Sequence, residues 1–590
     1  MPKNCRRIKL SQSRAAGSAP YYNCRQLIKI LAQKKRARHK TSVGGAALPN
    51  ALSGTVRPMR SATQWGTVSV EAPGVDFQQN KSQTKGQDRE TISALAIILL
   101  ATLLHGLLAF GLGLGVDESY TLVMSRELGW SYFDHPPLHY WIVHIAVQLL
   151  GEGRAARLPF VLLSAASSWF LFRLTQRLFG GRAGLWAIAA FNMSAFFTVA
   201  ASDWILPDGP LDVFLLAAAA EVATIVVSPQ QSTEKFRSNA IWFRIGIWCG
   251  LAALSKYHAA LFCAGLVGFF ATSPRLRPIL RTPGPYIAAA MTALMFSPVL
   301  IWNAAHGWSS FLFQAGRASP NLGWNFSHVF SQLAGEAGLL LPWIFVPLGL
   351  ATIRAMREGR TDDRNHLCLW LGLPTIVLMT LIPVMCARGF PHWTMPGWLM
   401  LFPLLGALLD AASRIHAWPR WWITTSALLT LVLGVAAVLE TSSGWLGAEF
   451  PAVFSRGDPT IESVEWHGLL SGLDGTRLSQ THHDYVLALN WRDGGKIGIG
   501  IGKSFPIHVY SATPHGFAQL TSAGGRLGSD VLIVGRPRDM SIALPSLRTH
   551  FASIRTLTPT TIGRNGQPEI VLERALGFKQ TQLLPEVRLN

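Results

Sequence analysis

The sequence predicts an all-α polytopic membrane protein with a small α/β soluble domain at its carboxyl end. Three observations lead to this fold class. The 590 residues are 49% hydrophobic and only 14% charged, several apolar stretches are about 20 residues long, and 21 residues are tryptophan. Runs of that length match the hydrocarbon core of a bilayer, which excludes a water-soluble globular fold for most of the chain.

A basic segment precedes the first apolar run. Residues 1–90 contain 17 Lys and Arg against four acids, so they carry +13 of the net charge of +20. This charge indicates the cytoplasmic side, and the Ser, Gly, Gln and Lys content predicts a disordered tail. The segment could instead bind anionic lipid or nucleic acid, or result from a start codon placed too early, since Met59 also precedes the first span. We expect no nucleic-acid partner.

Apolar segments between residues 91 and 440 predict about eleven transmembrane helices. They are 92–114, 155–177, 184–201, 211–227, 240–255, 259–272, 285–303, 330–353, 367–385, 394–410 and 422–440. One more apolar segment, 137–151, would reach only about 22 Å at 1.5 Å per residue, so we predict an interfacial helix there. With that helix outside the bilayer, the Arg and Lys clusters fall in the inner loops.

Residues 441–590 then form a soluble domain on the outer side. The runs "YVLALNW", "KIGIGIG", "IHVYS" and "VLIVGR", separated by Gly, Asp and Pro, predict strands of a small α/β domain. The segment "GIGIGKS" resembles a phosphate loop, but it lacks the G-x-x-x-x-G-K-[ST] spacing. We therefore expect no nucleotide cofactor.

Charged side chains gather on the outer loops of this topology. They are Asp117, Glu118, Asp134, His135, Asp203, Asp208, Lys256, Arg388 and His392. Ionisable groups collected at one face of a bilayer are costly to desolvate and therefore indicate a functional site.

Each group also has a structural interpretation. Asp117 and Glu118 could cap the helix that begins at "ESYTLV", and Asp134 could cap the helix that follows the two prolines. Asp208 could mark only a turn between two spans, and Lys256 could extend to the lipid interface. The functional interpretation rests on the convergence of these groups rather than on any one of them.

Six motifs follow one another through the apolar part of the chain. They are "VDESY", "WSYFDHPPLHYW", "GEGRAARLPF", "LPDGPL", "GLAALSKYHA" and "RGFPHWTMPGWL". In this order they resemble the bacterial glycosyltransferase family 39 and its relatives, the protein O-mannosyltransferases and the lipid A aminoarabinose and galacturonic acid transferases. The resemblance covers about 92–440. It implies a GT-C catalytic domain over 91–440 that moves a hexose or pentose from a polyprenyl phosphate to an acceptor outside the cytoplasmic membrane.

The resemblance also implies roles for individual residues. Asp117 would be the catalytic base, Glu118 its partner and Asp208 a second acid, with Asp203 in the same loop. His135 would shape the donor pocket. Asp134 and His135 stand where the aminoarabinose transferases carry a Glu-Lys pair, so a metal of such relatives cannot be transferred to this chain. The sequence leaves a divalent metal open.

A lipid-linked donor explains why these groups lie at span ends. The anomeric carbon of such a donor lies at the headgroup plane, and the leaving phosphate needs positive charge, which Lys256, Arg157 or Arg388 could supply. Displacement by a hydroxyl that Asp117 activates would invert the anomeric centre. Further candidates for the acceptor site or pocket are Asp134, Asp203, Tyr257, His392 and Trp393. The tryptophans of the outer segments, Trp308, Trp324, Trp393 and Trp398, could stack on a sugar or belong to the interfacial aromatic belt.

A transporter or flippase of a lipid-linked sugar is the alternative. Such a protein would carry ionisable groups near the bilayer midplane, broken helices and internal repeats. The sequence shows no clear repeat, and its acids lie at span ends. We therefore predict a transferase of the bacterial cytoplasmic (inner) membrane whose active site and carboxyl terminus are periplasmic. Its partners would be a polyprenyl-phosphate sugar, membrane lipids and a cell-envelope acceptor that is a lipid, glycan or protein.

Overall fold

The computed structural model describes residues 77–228, 238–317, 325–358, 362–385, 390–452, 458–470, 484–503, 505–520, 527–564 and 567–584. Most of the predicted disordered tail, residues 1–76, lies outside the described residues. The first helix, α1, begins at Phe77, well before the predicted boundary at 91. Gln, Lys, Glu and Arg favour helices, so the apolar helix continues into the polar sequence that precedes it.

Helices make up the membrane part. In chain order they are α1 Phe77–Gly111, α2 Val116–Met124, α3 Leu138–Leu150, α4 Leu158–Phe179, α5 Gly181–Phe191, α6 Asp208–Val226, α7 Asn239–Ser255, α8 Ala259–Thr272, α9 Pro283–Ala305, α10 Ser309–Arg317, α11 Ser327–Leu340, α12 Pro342–Glu358, α13 Asp363–Met385, α14 Met395–Leu399, α15 Phe402–Ser413, α16 Trp418–Ser443 and α17 Trp445–Glu449. Short 3-10 helices at Arg154–Arg157, Arg277–Arg281 and Pro391–Thr394 and a π-helix at Phe196–Ala200 lie between them.

The apolar helices make the chain a multi-pass membrane protein. Within the described ranges, six helices are long and apolar enough to cross a bilayer, namely α1, α4, α6, α9, α13 and α16. The number rises to eight if each of two bent helix pairs is one span. The span of α6 is 83% buried and that of α16 only 6%. Helix α6 therefore lies at the centre of the bundle, and α16 presents its leucines and valines to lipid.

One of the two bends has a local cause in the sequence. Helices α11 and α12 meet at 109°, and the helix over Pro391–Leu399 meets α15 at 58°. At the first bend Leu341 has a φ of +70° and Pro342 begins the next helix. Proline has no N–H for the preceding turn, and it disfavours the helical conformation at the residue before it. The break therefore follows from the sequence.

Helical segments occupy all eleven predicted spans, but three of them are short. The span 184–201 is divided between α5 and the π-helix, and α7 and α8 contain 17 and 14 residues. Helices of these two lengths extend about 26 and 21 Å, less than the roughly 30 Å of a hydrocarbon core. Eleven spans therefore stay a prediction. The segment predicted to be an interfacial helix forms α3, with 13 residues.

A mixed sheet with two helices follows α17 and confirms the predicted α/β domain. Its elements are β1 Tyr485–Ala488, α18 Trp491–Gly500, β2 Ile507–Val509, β3 Val531–Gly535, α19 Pro537–Leu547, β4 Phe551–Thr556, β5 Thr560–Arg564 and β6 Gln567–Gln580. The strand order is β2-β1-β3-β6-β4, and β5 pairs with β6. Strands β2, β1 and β3 are parallel, with Val486 opposite both Ile507 and Leu532, and β6 is antiparallel to its neighbours.

The two faces of the sheet carry separate cores. Val486 and Ala488 pack with Ile497 of α18, whereas Tyr485 and Leu487 pack with Met540 of α19. Successive side chains of a strand point to opposite faces, and a strand that is covered on both faces is apolar throughout. This explains the continuous apolar sequence of β1.

The predicted strand at "KIGIGIG" is wrong, because this segment belongs to helix α18. The side chain of Asn490 caps the helix by accepting from the Asp493 N–H. Ile497 and Ile501 are four residues apart, which places both on one helical face, and both are buried. Alternating Ile and Gly therefore resembled a strand, although the Asn cap and the i, i+4 pair fit a helix.

Helix α18 docks the soluble domain on α2. A Cβ atom at Gly495 would lie 2.5 Å from the Tyr120 backbone nitrogen, so only glycine permits this approach. The buried ammonium of Lys496 donates to the carbonyls of Leu114 and Val464. Because α18 begins just after β1, this contact places the carboxyl end of the parallel strands against the membrane domain.

Candidate active site

A polar cavity of about 660 Å³ lies between the membrane helices and the soluble domain. Its lining includes Asp117, Tyr120, Asp134, His135, His139, Trp204, Asp208, Lys256, Tyr257, His258, Phe313, Gln314, Arg317, Phe390, His392, Trp393, Trp491, Arg492 and His515. In the membrane part these residues come from α2, the segment around the start of α3, the starts of α6 and α8, the end of α10 and the 3-10 helix Pro391–Thr394. In the soluble domain they come from the start of α18 and from the segment after β2. The cavity therefore joins segments that are far apart in the sequence.

Asp117 is the second residue of α2, and its carboxylate faces the cavity. The side chain is accessible through the cavity but surrounded by protein. This desolvation raises the pKa of Asp117 above its usual value of 3.8, with Arg492 acting in the opposite direction. Within the described part of the chain its carboxylate accepts no hydrogen bond. Its lone pairs are therefore available to a substrate hydroxyl.

Glu118, the next residue, lies away from the cavity in a fully buried ion pair with Arg157. The Arg157 Nε donates to Glu118 Oε1 at 2.7 Å, and an Nη donates to the other oxygen. Glu118 also accepts from the backbone N–H groups of Gly115 and Ile205. Glu118 therefore caps α2, which agrees with the structural interpretation of this residue.

The guanidinium of Arg157 binds both Glu118 and the end of α1. Besides Glu118, it donates to the carbonyls of Ala109, Leu112 and Gly113. These five hydrogen bonds equal the five N–H donors of a guanidinium. The geometry thus favours a structural role for Arg157 over the predicted contact with a donor phosphate.

Asp208 and Lys256 form a second ion pair, and this one lines the cavity. The Lys256 Nζ lies 2.8 and 2.9 Å from the two carboxylate oxygens of Asp208. Asp208 is the first residue of α6, and Lys256 follows the last residue of α7. A carboxylate at a helix start and a cation at a helix end both suit the helix dipoles. Two of the three ammonium protons of Lys256 thus bond to Asp208, and the third proton can bond to a ligand.

A cationic and aromatic cluster lies beside this pair. The Arg317 guanidinium is 4.5 Å from the ring centre of Phe390, 5.1 Å from Trp393 and 5.6 Å from Phe313. Among the described residues it forms no ion pair. The aromatic faces hold the charge in place without neutralising it.

Neutral histidines complete the cluster. Burial holds the pKa of both His135 and His258 well below the usual value of 6.5, and neighbouring cations, Lys256 among them, lower these pKa values further. Among the described residues, His135 Nδ1 and His258 Nε2 are buried without a hydrogen-bond partner. Both residues line the cavity, where they place uncharged rings beside Lys256.

Asp134 connects the membrane domain to the soluble domain. One carboxylate oxygen accepts from the Tyr120 hydroxyl, and the other lies 2.7 Å from His515 Nδ1. Helix α3 starts after Pro137 without a side-chain cap. The structural interpretation of Asp134 as a cap of α3 is therefore wrong.

Some of the remaining predicted residues line the cavity and others do not. Tyr257, His392 and Trp393 line the cavity. Asp203 is fully buried behind the cavity wall, its oxygens have no hydrogen-bond partner among the described residues, and burial raises its pKa well above 3.8. Arg388 lies outside the described residues. Within the described ranges, no group of three His, Cys, Asp or Glu side chains could hold a metal ion.

An apolar groove of about 700 Å³ adjoins the cavity. It runs between α7, α8 and α9, with residues such as Trp242, Phe270 and Ala289 on its walls. Tyr257 and Gln314 line both spaces, so they mark the junction. The site thus offers a polar chamber with an apolar extension.

The cavity also contains residues that the sequence did not predict for the site, among them Arg317, Trp491, Arg492 and His515. A signal was present for Arg317, since it is a single Arg in the aromatic outer segment "HGWSSFLFQAGRASPNLGWNFSH". For the three residues of the soluble domain no local pattern pointed to the membrane part. Their contribution arises only from the docking of α18 on α2.

Known proteins resemble this chain in sequence and in fold. The family model of the dolichyl-phosphate-mannose-protein mannosyltransferases matches residues 134–302. The lipid A galacturonosyltransferase RgtD of Rhizobium johnstonii is 25% identical over 336 residues, which cover 55% of this chain and 66% of the relative. The resemblance to glycosyltransferase family 39 is confirmed.

Two further matches are a transferase sequence and a solved structure. The undecaprenyl phosphate-α-4-amino-4-deoxy-L-arabinose arabinosyl transferase 2 of Pseudomonas fluorescens is 23% identical over 392 residues, 63% of this chain and 64% of the relative. The chain thus matches slightly less than two thirds of the length of these curated relatives. The crystal structure of ArnT from Cupriavidus metallidurans bound to undecaprenyl phosphate covers 81% of this chain and 97% of its own, with a TM-score of 0.54 and 14% identity. This likeness shows the GT-C fold.

Proposed function

We propose that this protein is a glycosyltransferase that moves a sugar from a polyprenyl phosphate to an acceptor hydroxyl in the cell envelope. One observation carries the proposal. A single cavity contains a carboxylate without a hydrogen-bond partner among the described residues, Asp117, together with the cations Lys256 and Arg317, and it continues into an apolar groove. A base, a phosphate-binding cluster and a lipid site are what transfer from a lipid-linked sugar requires.

The groove suits the lipid part of the donor. Its walls come from membrane helices and are almost entirely apolar. The first isoprene units of a polyprenyl chain would lie between α7, α8 and α9, and the phosphate would emerge near Tyr257 and Gln314. Burial of an apolar chain in this groove favours binding, since each buried CH₂ contributes about 0.8 kcal/mol.

The phosphate would lie against Arg317 and the free proton of Lys256. Arg317 carries a charge that no acid among the described residues pairs with, and the N–H of a neutral histidine can add a further hydrogen bond. Donors that already point at the developing phosphate charge stabilise a transition state without reorganisation. We therefore assign Arg317, in place of Arg157, to the donor phosphate, with Lys256 and His135 beside it.

Asp117 would remove the proton of the acceptor hydroxyl. The hydroxyl oxygen attacks the anomeric carbon, the new C–O bond forms as the bond to the phosphate oxygen breaks, and the polyprenyl phosphate leaves with both bonding electrons. One displacement inverts the anomeric centre. Asp208 has a supporting role, because it holds Lys256 in place. Glu118 would act only through the structure of α2.

The relatives described above are transferases, which favours transfer over the alternative of transport. We further propose that the cavity and the carboxyl terminus face the periplasm of a bacterial inner membrane, with a catalytic domain over 91–440 and a soluble domain over 441–590. The acceptor would be a lipid, glycan or protein of the envelope.

Comparison of envelope glycolipids and glycoproteins by mass spectrometry tests this function. A strain that lacks the gene should lose one sugar modification, and the wild-type gene should restore it. The gene for Asp117→Asn, expressed at equal abundance in the membrane, should not restore it. An unchanged envelope in the deletion strain, or full restoration by Asp117→Asn, would contradict the proposal.

A further inference from the structure

The soluble domain forms the roof of the cavity. Trp491 and Arg492 follow β1, and His515 follows β2, so all three lie at the carboxyl end of the parallel strands. In open α/β sheets, ligand sites occur at this end. Here the end of the sheet closes a site whose other walls belong to the membrane helices.

His515 has an unusual backbone conformation. Its φ is +54°, in the left-handed region that residues other than glycine rarely adopt. The ring of Trp491 lies 4.2 Å from the His515 ring, and the rings of Phe313 and Phe133 lie 5.2 and 5.9 Å away. Residues held in sparsely populated conformations concentrate at functional sites. The surrounding aromatic rings fix this side chain in one direction.

That direction leads to Asp134 and Tyr120. The His515 Nδ1 lies 2.7 Å from Asp134 Oδ1, and since a carboxylate only accepts, this nitrogen donates. The Tyr120 hydroxyl donates to the other oxygen of Asp134 and accepts from the Gly516 N–H at 2.9 Å. A Cβ atom at position 516 would lie 2.4 Å from that hydroxyl oxygen. The loop of the soluble domain therefore binds the Tyr120 hydroxyl through Gly516 and its partner Asp134 through His515.

Tyr120 shares a helix with the proposed base. It lies three residues after Asp117 in α2, which places the two side chains on one face, and both line the cavity. Movement of Tyr120 or Asp134 would therefore change the position and the surroundings of Asp117. A mutation that misplaces a catalytic group by about 1 Å can lower the rate about a hundredfold.

We propose that His515 is a positioning residue of the active site, which orients Asp134 and Tyr120 and thereby fixes helix α2 and Asp117 beneath the soluble domain. This inference rests on the proposed transferase function. It assigns the soluble domain a direct part in the reaction, through a side chain 381 residues away from its partner in the sequence.

Two substitutions of His515 separate the effect of its side chain from the effect of its backbone conformation. His515→Gly deletes the imidazole but suits the left-handed backbone, so the protein should fold normally. His515→Asn keeps an N–H donor close to the position of Nδ1, and Asn tolerates the same backbone conformation. The control is His550→Gln, since the half-buried His550 ring lies outside the cavity and its hydrogen bonds are to Ser546 and Thr549 in its own turn.

The experiment measures transfer by the purified full-length variants with a polyprenyl-phosphate sugar. We expect His515→Gly to lower kcat about 10- to 100-fold with an unchanged KM for the donor and an unchanged thermal midpoint. His515→Asn should recover most of the rate, and His550→Gln should match the wild type. In an Asp134→Asn background, His515→Gly should add little further loss, because the two residues act as a unit.

Other outcomes overturn the inference in distinguishable ways. If the wild type transfers sugar and His515→Gly retains its kcat, or if the losses from His515→Gly and Asp134→Asn multiply, His515 does not act through Asp134. A fall in thermal midpoint without a change in kcat would show a purely structural role. A wild-type protein without any transfer activity would overturn the proposed function and this inference together.

Discussion

Arg157 and Glu118 form an ion pair that solvent does not reach, one residue away from an acid that faces the cavity. The neighbouring carboxylates Asp117 and Glu118 thus have different surroundings. Glu118 holds the start of α2 against the end of α1 through Arg157, whereas Asp117 has no hydrogen-bond partner in the described part of the chain. Substitutions at these two adjacent residues should therefore have different effects, which experiments can distinguish.

Glu118→Gln should destabilise the protein. The substitution removes one charge of a buried pair and leaves Arg157 charged, which typically costs about 3–5 kcal/mol. We expect lower abundance in the membrane and a lower thermal midpoint in detergent. Glu358→Gln is the matched control, because its pair with Arg354 is largely exposed and such pairs contribute about 0–1 kcal/mol. Equal thermal midpoints for the two variants would contradict the structural role of Glu118.

Asp117→Asn should have the opposite profile. The amide keeps the size of the side chain and remains a good residue at a helix start, so abundance and thermal midpoint should be those of the wild type. The loss of a general base should lower the rate by about 10²- to 10⁴-fold. Single-turnover measurements with the purified enzyme test this. Retention of more than about a tenth of the wild-type rate would exclude Asp117 as the base.

The pH dependence of transfer should report the carboxyl of Asp117. A general base works only when deprotonated, so kcat/KM should rise with pH through the pKa of this group. Burial raises that pKa above 3.8, and Arg492 lowers it. The acid limb should therefore lie above that of a free aspartate, and Arg492→Gln should move it to still higher pH. An acid limb that stays in place in Arg492→Gln would disprove the electrostatic contact.

Arg317→Gln should weaken donor binding. A hydrogen bond to a charged group contributes about 1.5–3 kcal/mol, so KM for the polyprenyl-phosphate sugar should rise about 10- to 100-fold. Arg317→Lys should recover only part of this, since an ammonium does not stack on Phe390 and Trp393 as a guanidinium does. Arg173→Gln is the control, because Arg173 also lies over an aromatic ring, that of Trp169, but outside the cavity. A donor KM equal to that of the wild type in Arg317→Gln would remove Arg317 from the phosphate site.

A reporter enzyme that is active only in the periplasm, fused after Asn590, should be active. The prediction follows from the Arg and Lys clusters of the loops that the sequence places inside. A cytoplasmic reporter at the same position should be silent. Intact fusion protein with the reverse pattern would show that the cavity opens to the cytoplasm.

The sequence was informative where a function depends on local pattern. Asp117 lies at the start of the helix that the sequence predicts at "ESYTLV". The loops predicted to lie on the outer side do bring Asp208, Lys256 and His135 into one cavity with it. The positive-inside rule and the order of the motifs were enough to predict this set of residues, since both can be read from short segments of sequence. The number of spans could not be settled in this way, because α7 and α8 are shorter than a bilayer core is thick.

Long-range pairing explains the errors. Arg157 was predicted as a cation for the phosphate, yet its N–H groups donate to Glu118 and to carbonyls at the end of α1. The segment "KIGIGIG" alternates as a strand does, yet the Asn490 cap and contact with α2 make it a helix. His515 carries no sequence signal, because its partner Asp134 is brought near only by the docking of the two domains.

The contact of Gly495 with Tyr120 sets the height of the cavity. At this point the two helices meet backbone to backbone, with no side chain between them that could change rotamer. A change of rotamer at this contact therefore cannot raise the roof, and a bulkier sugar would require the whole sheet to move. Selectivity for the size of the transferred sugar should then change in steps, through substitutions on the cavity wall, rather than by gradual adaptation of the enzyme to each ligand.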